Sequence, residues 1–315
     1  MGAQSPPNFP VIDLSNENLK PGTSSWFKTC NNVRLALEEY GCFEALYDHK
    51  MSQQLHQEIF SELKNLFDLP TEIKMKNVSD HPFFGYVGHH PSIPPIHEGL
   101  GIGNATTLEA AQSFTNLMWP QGNDHFCETV LSYAKIVSEL EQVVASMVFE
   151  SYGVEKYYDT HVKSTTYLFR SMKYRVPEKN ESNIAVNVHT DKSFLTILHQ
   201  NEVKGLEFKT VNGHWIQFEP SRPSSFAVNA GDAFLAWSNG RIHSAPHRVM
   251  MRGSQPRYSV GIFSYHSGTI EIPEELVDEE HPLQFKPFDH YGLLNYFATA
   301  EGPKIESSAK AYCGV

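Results

Sequence analysis

Ile184-Ala185-Val186-Asn187-Val188 and Ser193-Phe194-Leu195-Thr196-Ile197-Leu198 are two β-prone runs joined by His189-Thr190-Asp191-Lys192. On an extended backbone, positions two apart share a face, so His189 and Asp191 can point at one atom. The chain has 16 histidines, and only one other begins a His-x-acid triplet, His56-Gln57-Glu58. That triplet falls in a predicted helix, where residues two apart do not face each other, and it is set aside.

Around this stretch the pattern continues as short segments rich in β-branched and aromatic residues, near 164–175, 184–188, 193–200, 205–210, 214–218, 224–229, 233–237, 246–251 and 257–265. Gly, Pro, Asn and Asp separate many of them, so all nine read as strands. So many strands with little helix between them predict an antiparallel sandwich or jelly roll. Upstream, 9–14 suits a short strand. Val33, Ala36, Leu37 and Tyr40 then follow at helical spacing up to Gly41. Ser52 caps a second predicted helix carrying Leu55, Ile59, Leu63 and Leu66, which Pro70 closes. The proline- and glycine-rich stretch 80–124 reads as long loops. From Phe126, apolar residues at Val130, Tyr133, Val137, Leu140, Val144 and Met147 predict a long helix ending near Gly153. Phe288–Ala298 predicts a last helix. The expected organisation is an N-terminal region of helices, short strand and loops (8–124), a long helix (125–160), a catalytic β region (161–268) and a C-terminal helix and tail (269–315), in one compact unit.

The 315 residues are 40% hydrophobic, ample for a core, and carry 25 Lys and Arg against 36 Asp and Glu. The net charge of −11 offers no basic surplus for a phosphate backbone, so no nucleic-acid partner is expected. Runs such as Val143–Phe149 fall short of the roughly 20 apolar residues that cross a bilayer, and no membrane association is expected. Met1–Pro7 lacks the basic and apolar pattern of a leader. Pro6 occupies the Ser/Thr position of a myristoylation signal, and Cys313 sits one residue too late for prenylation. Cys30, Cys42, Cys127 and Cys313 occur singly, which suits a reducing, cytoplasmic location, and the sequons at Asn77, Asn104 and Asn180 are read as bland.

A third ligand is needed beside His189 and Asp191. His247, in Ser244-Ala245-Pro246-His247-Arg248-Val249, enters a later strand and is preferred, with His243 four residues away as the open alternative. Two histidines and a carboxylate on one side of an ion leave positions for cosubstrate and oxygen, the ligand set of non-haem Fe(II) oxygenases. Ten residues on, Arg257 and Ser259 share a strand face, where a guanidinium fork beside a hydroxyl suits a carboxylate.

The order His189-x-Asp191, His247, Arg257-x-Ser259 resembles the plant 2-oxoglutarate- and Fe(II)-dependent dioxygenases. Pro10-Val11-Ile12-Asp13-Leu14, Tyr40-Gly41-Cys42-Phe43, Phe67-Asp68-Leu69-Pro70-Thr71-Glu72, Gly85-Tyr86, Gly231-Asp232 and Trp237-Ser238-Asn239-Gly240-Arg241 extend the resemblance over nearly the whole chain. It implies a mainly β fold, a double-stranded β-helix core with flanking N-terminal helices. It also implies Fe(II) at His189, Asp191 and His247, 2-oxoglutarate at Arg257 and Ser259 assisted by Tyr174, O2 as oxidant and ascorbate as activity support. The sequence departs from the family pattern at Met172, where asparagine is usual, and at Arg175, where proline is usual.

The same resemblance puts Phe114, Arg170, Phe263 and Tyr265 near a small aromatic substrate, under a possible lid at His89–Leu100. Ser113-Phe114-Thr115, Met118-Trp119-Pro120-Gln121-Gly122-Asn123 and Lys310–Val315 resemble a subgroup that includes deoxypodophyllotoxin synthase and glucosinolate side-chain dioxygenases. This implies oxidative ring closure of the lignan yatein, with hydroxylation or desaturation of another plant metabolite or hormone as the alternative. A ligand-binding jelly roll without turnover is the reading from another class. Structural zinc, which takes four closed ligands, fits less well. No obligate protein partner is evident.

Overall fold

A computed structural model describes residues 9–16, 18–88, 94–299 and 307–315. The N-terminal part contains β1 (Val11–Asp13), α1 (Ser24–Glu39), β2 (Cys42–Leu46), α2 (Gln53–Phe67), α3 (Thr71–Lys74), β3 (His97–Gly103), α4 (Leu108–Met118) and α5 (Asp124–Ser151). After α6 (Tyr158–Ser164) come β4 (Thr165–Tyr174), β5 (Ile184–His189), β6 (Leu195–Gln200), β7 (Leu206–Lys209), β8 (Trp215–Gln217) and β9 (Ser225–Ala230). They are followed by α7 (Asp232–Trp237), β10 (His247–Met250), β11 (Arg257–His266), β12 (Thr269–Ile270), β13 (Phe288–Asp289), α8 (His290–Phe297) and α9 (Ser308–Cys313).

The strands form a seven-stranded sheet in the order β1-β2-β9-β6-β11-β4-β3 and a four-stranded sheet β5-β10-β7-β8, with β12 and β13 pairing separately. Apart from the parallel β1–β2 pair, the neighbours are antiparallel. This is the expected jelly-roll core with helices on its N-terminal side.

The period-two rule divides the large sheet cleanly. Tyr258, Val260 and Ile262 of β11 join the main core with Val137, Leu140 and Val144 of α5. The alternate residues face the small sheet: Met172, Tyr174 and Leu198 pack there with Phe208, Phe218 and Val249. Helix α5 is the brace behind the sheet. Asn123 caps it by accepting from the Phe126 amide, and the chain leaves through Gly153 at φ +69°.

Two expectations are corrected. The segment 80–124 is not all loop, because it contains β3 and α4. Strand β3 is hidden by Gly99, Gly101 and Gly103, which weaken any strand signal. They are there for space: a Cβ at Gly101 would lie 2.3 Å from the Phe84 carbonyl oxygen, and one at Gly99 would lie 2.7 Å from Arg170 Nη2. The segment 233–237 is the helix α7, not a strand. A short apolar run buried on nearly every side carries no periodicity to separate the two. Residues 89–93 of the expected lid fall outside the described residues.

The brace carries one charged anomaly. Glu141 of α5 is buried and accepts a hydrogen bond from Tyr167 Oη at 3.0 Å, while its other oxygen has no partner. Burial pushes its carboxyl up to about 7, against the opposing influence of the nearby Ser264 and Tyr167 hydroxyls. A raised acid is protonated in the folded protein while its unfolded counterpart ionises, so stability falls as pH rises from about 4.5 to about 7. Urea midpoints across that range should decline less steeply for Glu141→Gln than for the parent; equal slopes would place the titration elsewhere.

Candidate metal and cosubstrate centre

His189 ends β5 and His247 begins β10, and the two are directly opposed across the antiparallel pair. Asp191 follows two residues after β5. One donor atom from each of the three lies within 4.8 Å of the others, and Asp191 Oδ1 stands 3.6 Å from both histidine Nε2 atoms. His243 is not part of this group. Its amide donates to Leu37 O, and its Nε2 is buried without a partner.

Each donor is aimed by its own support. His189 Nδ1–H donates to Asn187 O at 2.9 Å and His247 Nδ1–H to Ala245 O at 3.1 Å, which leaves both Nε2 lone pairs facing inward. Asn229 Nδ2 donates to Asp191 Oδ2 at 2.9 Å, leaving Oδ1 free. Burial lowers the imidazole of His189 to about 4. Burial also works to raise the Asp191 carboxyl, yet His247 and His189, with Thr196 and Asn229, outweigh it and hold the carboxyl below its usual range. Neutral His189 and ionised Asp191 are the protonation states that a divalent cation requires. The donor set fits such an ion.

The backbone around the donors is clamped as well. Asp232, at the start of α7, accepts from Lys192 Nζ at 2.6 Å and from Ser244 Oγ at 2.7 Å, and its amide donates to Asp191 O. Lys192 also donates to Thr190 O and Oγ1, both at 2.8 Å. The buried Lys192–Asp232 pair therefore ties the turn after His189 to the segment that leads into His247. From the far side, His290 of α8 accepts from the His266 amide at Nδ1 and donates from Nε2 to Lys192 O at 2.7 Å.

A second cluster sits on the inner face of the large sheet. Arg257 is 1% exposed; its Nη1 donates to Ser259 Oγ at 3.2 Å and its Nη2 to Gln200 Oε1 at 2.9 Å, while Nε has no partner. Its guanidinium lies 5.0 Å from the Tyr174 ring centre. The Tyr174 hydroxyl points to Met172 Sδ at 3.3 Å, so methionine at this unusual position serves as a soft acceptor. Arg175, the other departure, forms a two-pronged pair with Glu181 at 2.6 and 2.7 Å. No carboxylate neutralises Arg257 among the described residues, so the cluster can accept one from outside.

Of the expected substrate residues, Arg170, Phe263 and Tyr265 share this inner face, and Tyr265 packs with Phe84 and Tyr291. Phe114 does not join them. It lies in the helical core, 5.9 Å from Phe126 between ring centres. Sequence reasoning missed Gln200, Asn229, Lys192, Asp232 and His97. Alternation from Thr196 could have found Gln200, because Thr196, Leu198 and Gln200 share a face; Asp232 stands in the Gly231-Asp232 landmark, which gives it no role, and nothing local marks the others.

Asn229→Ala removes the side-chain amide that donates to Asp191 Oδ2 and should weaken binding of Mn(II), used as an air-stable probe, by about 10- to 100-fold. Calorimetric titration of folded protein reads this directly, and an unchanged affinity would remove Asn229 from the support of the site.

The profile of the 2OG-Fe(II) oxygenase superfamily matches residues 154–266, and that of the non-haem dioxygenase in morphine synthesis N-terminal region matches residues 9–122. Probable 2-oxoglutarate-dependent dioxygenase AOP1.2 of Arabidopsis thaliana is 44% identical over 312 residues, covering 96% of this chain and 95% of that protein. The crystal structure of a rice dioxygenase for auxin oxidation superposes with a TM-score of 0.79 at 29% identity, covering 97% of this chain and all of that one. The corresponding Arabidopsis thaliana enzyme in a binary complex with 2-oxoglutarate gives 0.75 at 30% identity, over 87% of this chain and all of that one. The chain thus belongs to the 2OG-Fe(II) oxygenase superfamily and is a 2-oxoglutarate- and Fe(II)-dependent dioxygenase of the plant type.

Proposed function

We propose that His189, Asp191 and His247 hold Fe(II), and that Arg257 and Ser259, flanked by Tyr174, bind the distal carboxylate of 2-oxoglutarate. The observation that carries this reading is the pairing of three aimed donors with a buried guanidinium that lacks a counter-anion, both facing the space between the two sheets. Bound there, Fe(II) would activate O2, the oxidant: two of its four oxidising equivalents would be met by 2-oxoglutarate as it loses CO2 and becomes succinate, and the other two would be left for attack on a substrate C–H bond. The protein's own work is positional. Arg257 and Ser259 fix one end of the cosubstrate, Gln200 holds the guanidinium fork in register, and the histidines act as ligands rather than as acid or base.

The substrate we propose is a small aromatic plant secondary metabolite, bound against Phe263, Tyr265 and Arg170. The stacked rings of Tyr265 and Tyr291, with Phe84 tilted against both, support a flat ligand. Ring closure of yatein is the specific reaction that the subgroup resemblance implies. Hydroxylation or desaturation of another metabolite is the alternative, and the named relatives, which include AOP and auxin-oxidation enzymes, lean towards it.

Succinate release with Fe(II), ascorbate and 2-oxoglutarate tests the reaction class. Asp191→Ala should abolish it in a protein that stays folded. Arg257→Ala should raise the KM for 2-oxoglutarate by roughly ten- to a hundredfold, the loss of a charge-assisted contact of about 1.5–3 kcal/mol. Full turnover in the first variant, or an unchanged KM in the second, would overturn the assigned roles. Mass spectrometry of yatein incubations should show a product two hydrogens lighter if the lignan assignment holds; unaltered yatein removes that assignment alone.

A further inference from the structure

Arg257 is not the only buried guanidinium without a counter-anion. Arg170, on β4 of the same inner face, is 6% exposed and forms no ion pair among the described residues. Its Nη1 donates to Phe83 O at 2.5 Å, which leaves most of a five-donor fork unused. Desolvation lowers its pKa, though an arginine in a protein stays charged. Its guanidinium also lies 5.9 Å from the Phe83 ring centre, but a buried charge whose partners among the described residues are one carbonyl and one ring is costly unless a ligand completes it.

The backbone around Arg170 is built to leave it room. Its strand neighbours in register are Gly261 on β11 and Gly101 on β3. Beside it, a Cβ at Gly99 would meet Arg170 Nη2 at 2.7 Å and His97 Nε2 at 3.6 Å, so these two nitrogens flank one point. His97 Nε2 is sealed from solvent and has no hydrogen-bond partner among the described residues. The His97 ring lies flat on Tyr174, centres 5.0 Å apart, which fixes its direction. Burial, followed by the nearby Arg170, His189 and Arg257, holds this imidazole down to about 3, so it is a neutral group with a single N–H to give.

We propose that Arg170 and His97 together seat a carboxylate of the organic substrate, which makes that substrate a small aromatic acid. The inference rests on the oxygenase reading of the site. In that reading Arg257 and Ser259 take the distal carboxylate of the cosubstrate and its other end lies at the metal, so the anion at Arg170 comes from a different molecule. Arg170 supplies charge and a fork, and His97 adds a neutral donor that does not compete for protons. The aromatic body then lies towards Phe84, Phe263, Tyr265 and Tyr291. This reading and the lignan assignment part here, because a substrate without an acid group leaves Arg170 uncompensated.

The test uses the full chain loaded with Mn(II) and 2-oxoglutarate for binding, and with Fe(II) for turnover. The probes are arylacetic and cinnamic acids, each paired with its methyl ester. At least one acid should bind ten times or more tighter than its ester and stimulate succinate release. Arg170→Gln should abolish that preference and raise the KM for the acid, with the KM for 2-oxoglutarate unchanged. His97→Phe, which keeps the ring on Tyr174, should lose part of the preference and guards against misfolding of the arginine variant. Esters binding as well as acids, or a panel in which no acid binds, overturns the proposal. So does a rise in the KM for 2-oxoglutarate alone in Arg170→Gln, since the guanidinium would then serve the cosubstrate. Acid binding with no succinate from any probe would instead overturn the oxygenase reading and leave the carboxylate seat standing.

Discussion

The opposition of His189 and His247 across β5 and β10 is the contact on which the site depends. Two strands that are distant in sequence must pair in one register for both imidazoles to reach a single point. A slip by one residue would turn His247 to the other face. The register is also irregular along this pair, with shifts between His247 and Val249 and again between Val249 and Met250. Ladder hydrogen bonds alone are therefore a weak guarantee of alignment. Asp232 supplies a second constraint, because one carboxylate joins Lys192, beside Asp191, to Ser244, three residues before His247. A buried ion pair adds little net stability against its desolvation, so the gain from Lys192–Asp232 lies in fixing geometry.

The large sheet separates two environments by the alternation of its residues. Outward residues of β11 and β4 meet α5 and make an apolar core, while inward ones carry Arg257, Ser259, Tyr174 and Arg170. Glycines at 99, 101 and 261 keep that inner face open where the guanidinium of Arg170 lies. Packing on one side thus sets the rigidity of the polar groups on the other. The same helix that braces the sheet carries the buried Glu141 close to Ser264, which bonds the backbone of Leu195 on β6.

Much of this was legible in the sequence because it depends on local period. The amphipathic spacing of α5, the Ser52 cap of α2 and the alternating strands after residue 164 are short-range patterns that the structure retains. His189 and Asp191 share a face for the same reason. The missed features are those in which tertiary space overrides local preference. β3 reads as loop because its glycines answer to Arg170 and Phe84 rather than to strand propensity. α7 reads as strand because burial on nearly all sides erases amphipathicity. Asn229 reaches Asp191 and Asp232 reaches Lys192 across about 40 residues of sequence, and no window could display that. Phe114, placed by resemblance near the substrate, packs on Phe126 in the main core, apart from the inner-face cluster of Arg170, Phe263 and Tyr265.

The distribution of charge inside the β core joins these points. The site holds two buried guanidiniums, a carboxylate and imidazoles, and among the described residues neither guanidinium has an anionic partner. Such an arrangement is poor for stability by itself, since each unpaired charge has lost its hydration. It becomes favourable when ligands bring the missing charges, and binding then stabilises the fold in proportion to ligand excess. The charges on the inner face can thus be read as a cast of what must bind: a cation at the three donors, a carboxylate at Arg257, and a further anion at Arg170. Apolar replacements would hold the two sheets together at least as well, so the retention of these charged side chains is explained by recognition rather than by packing.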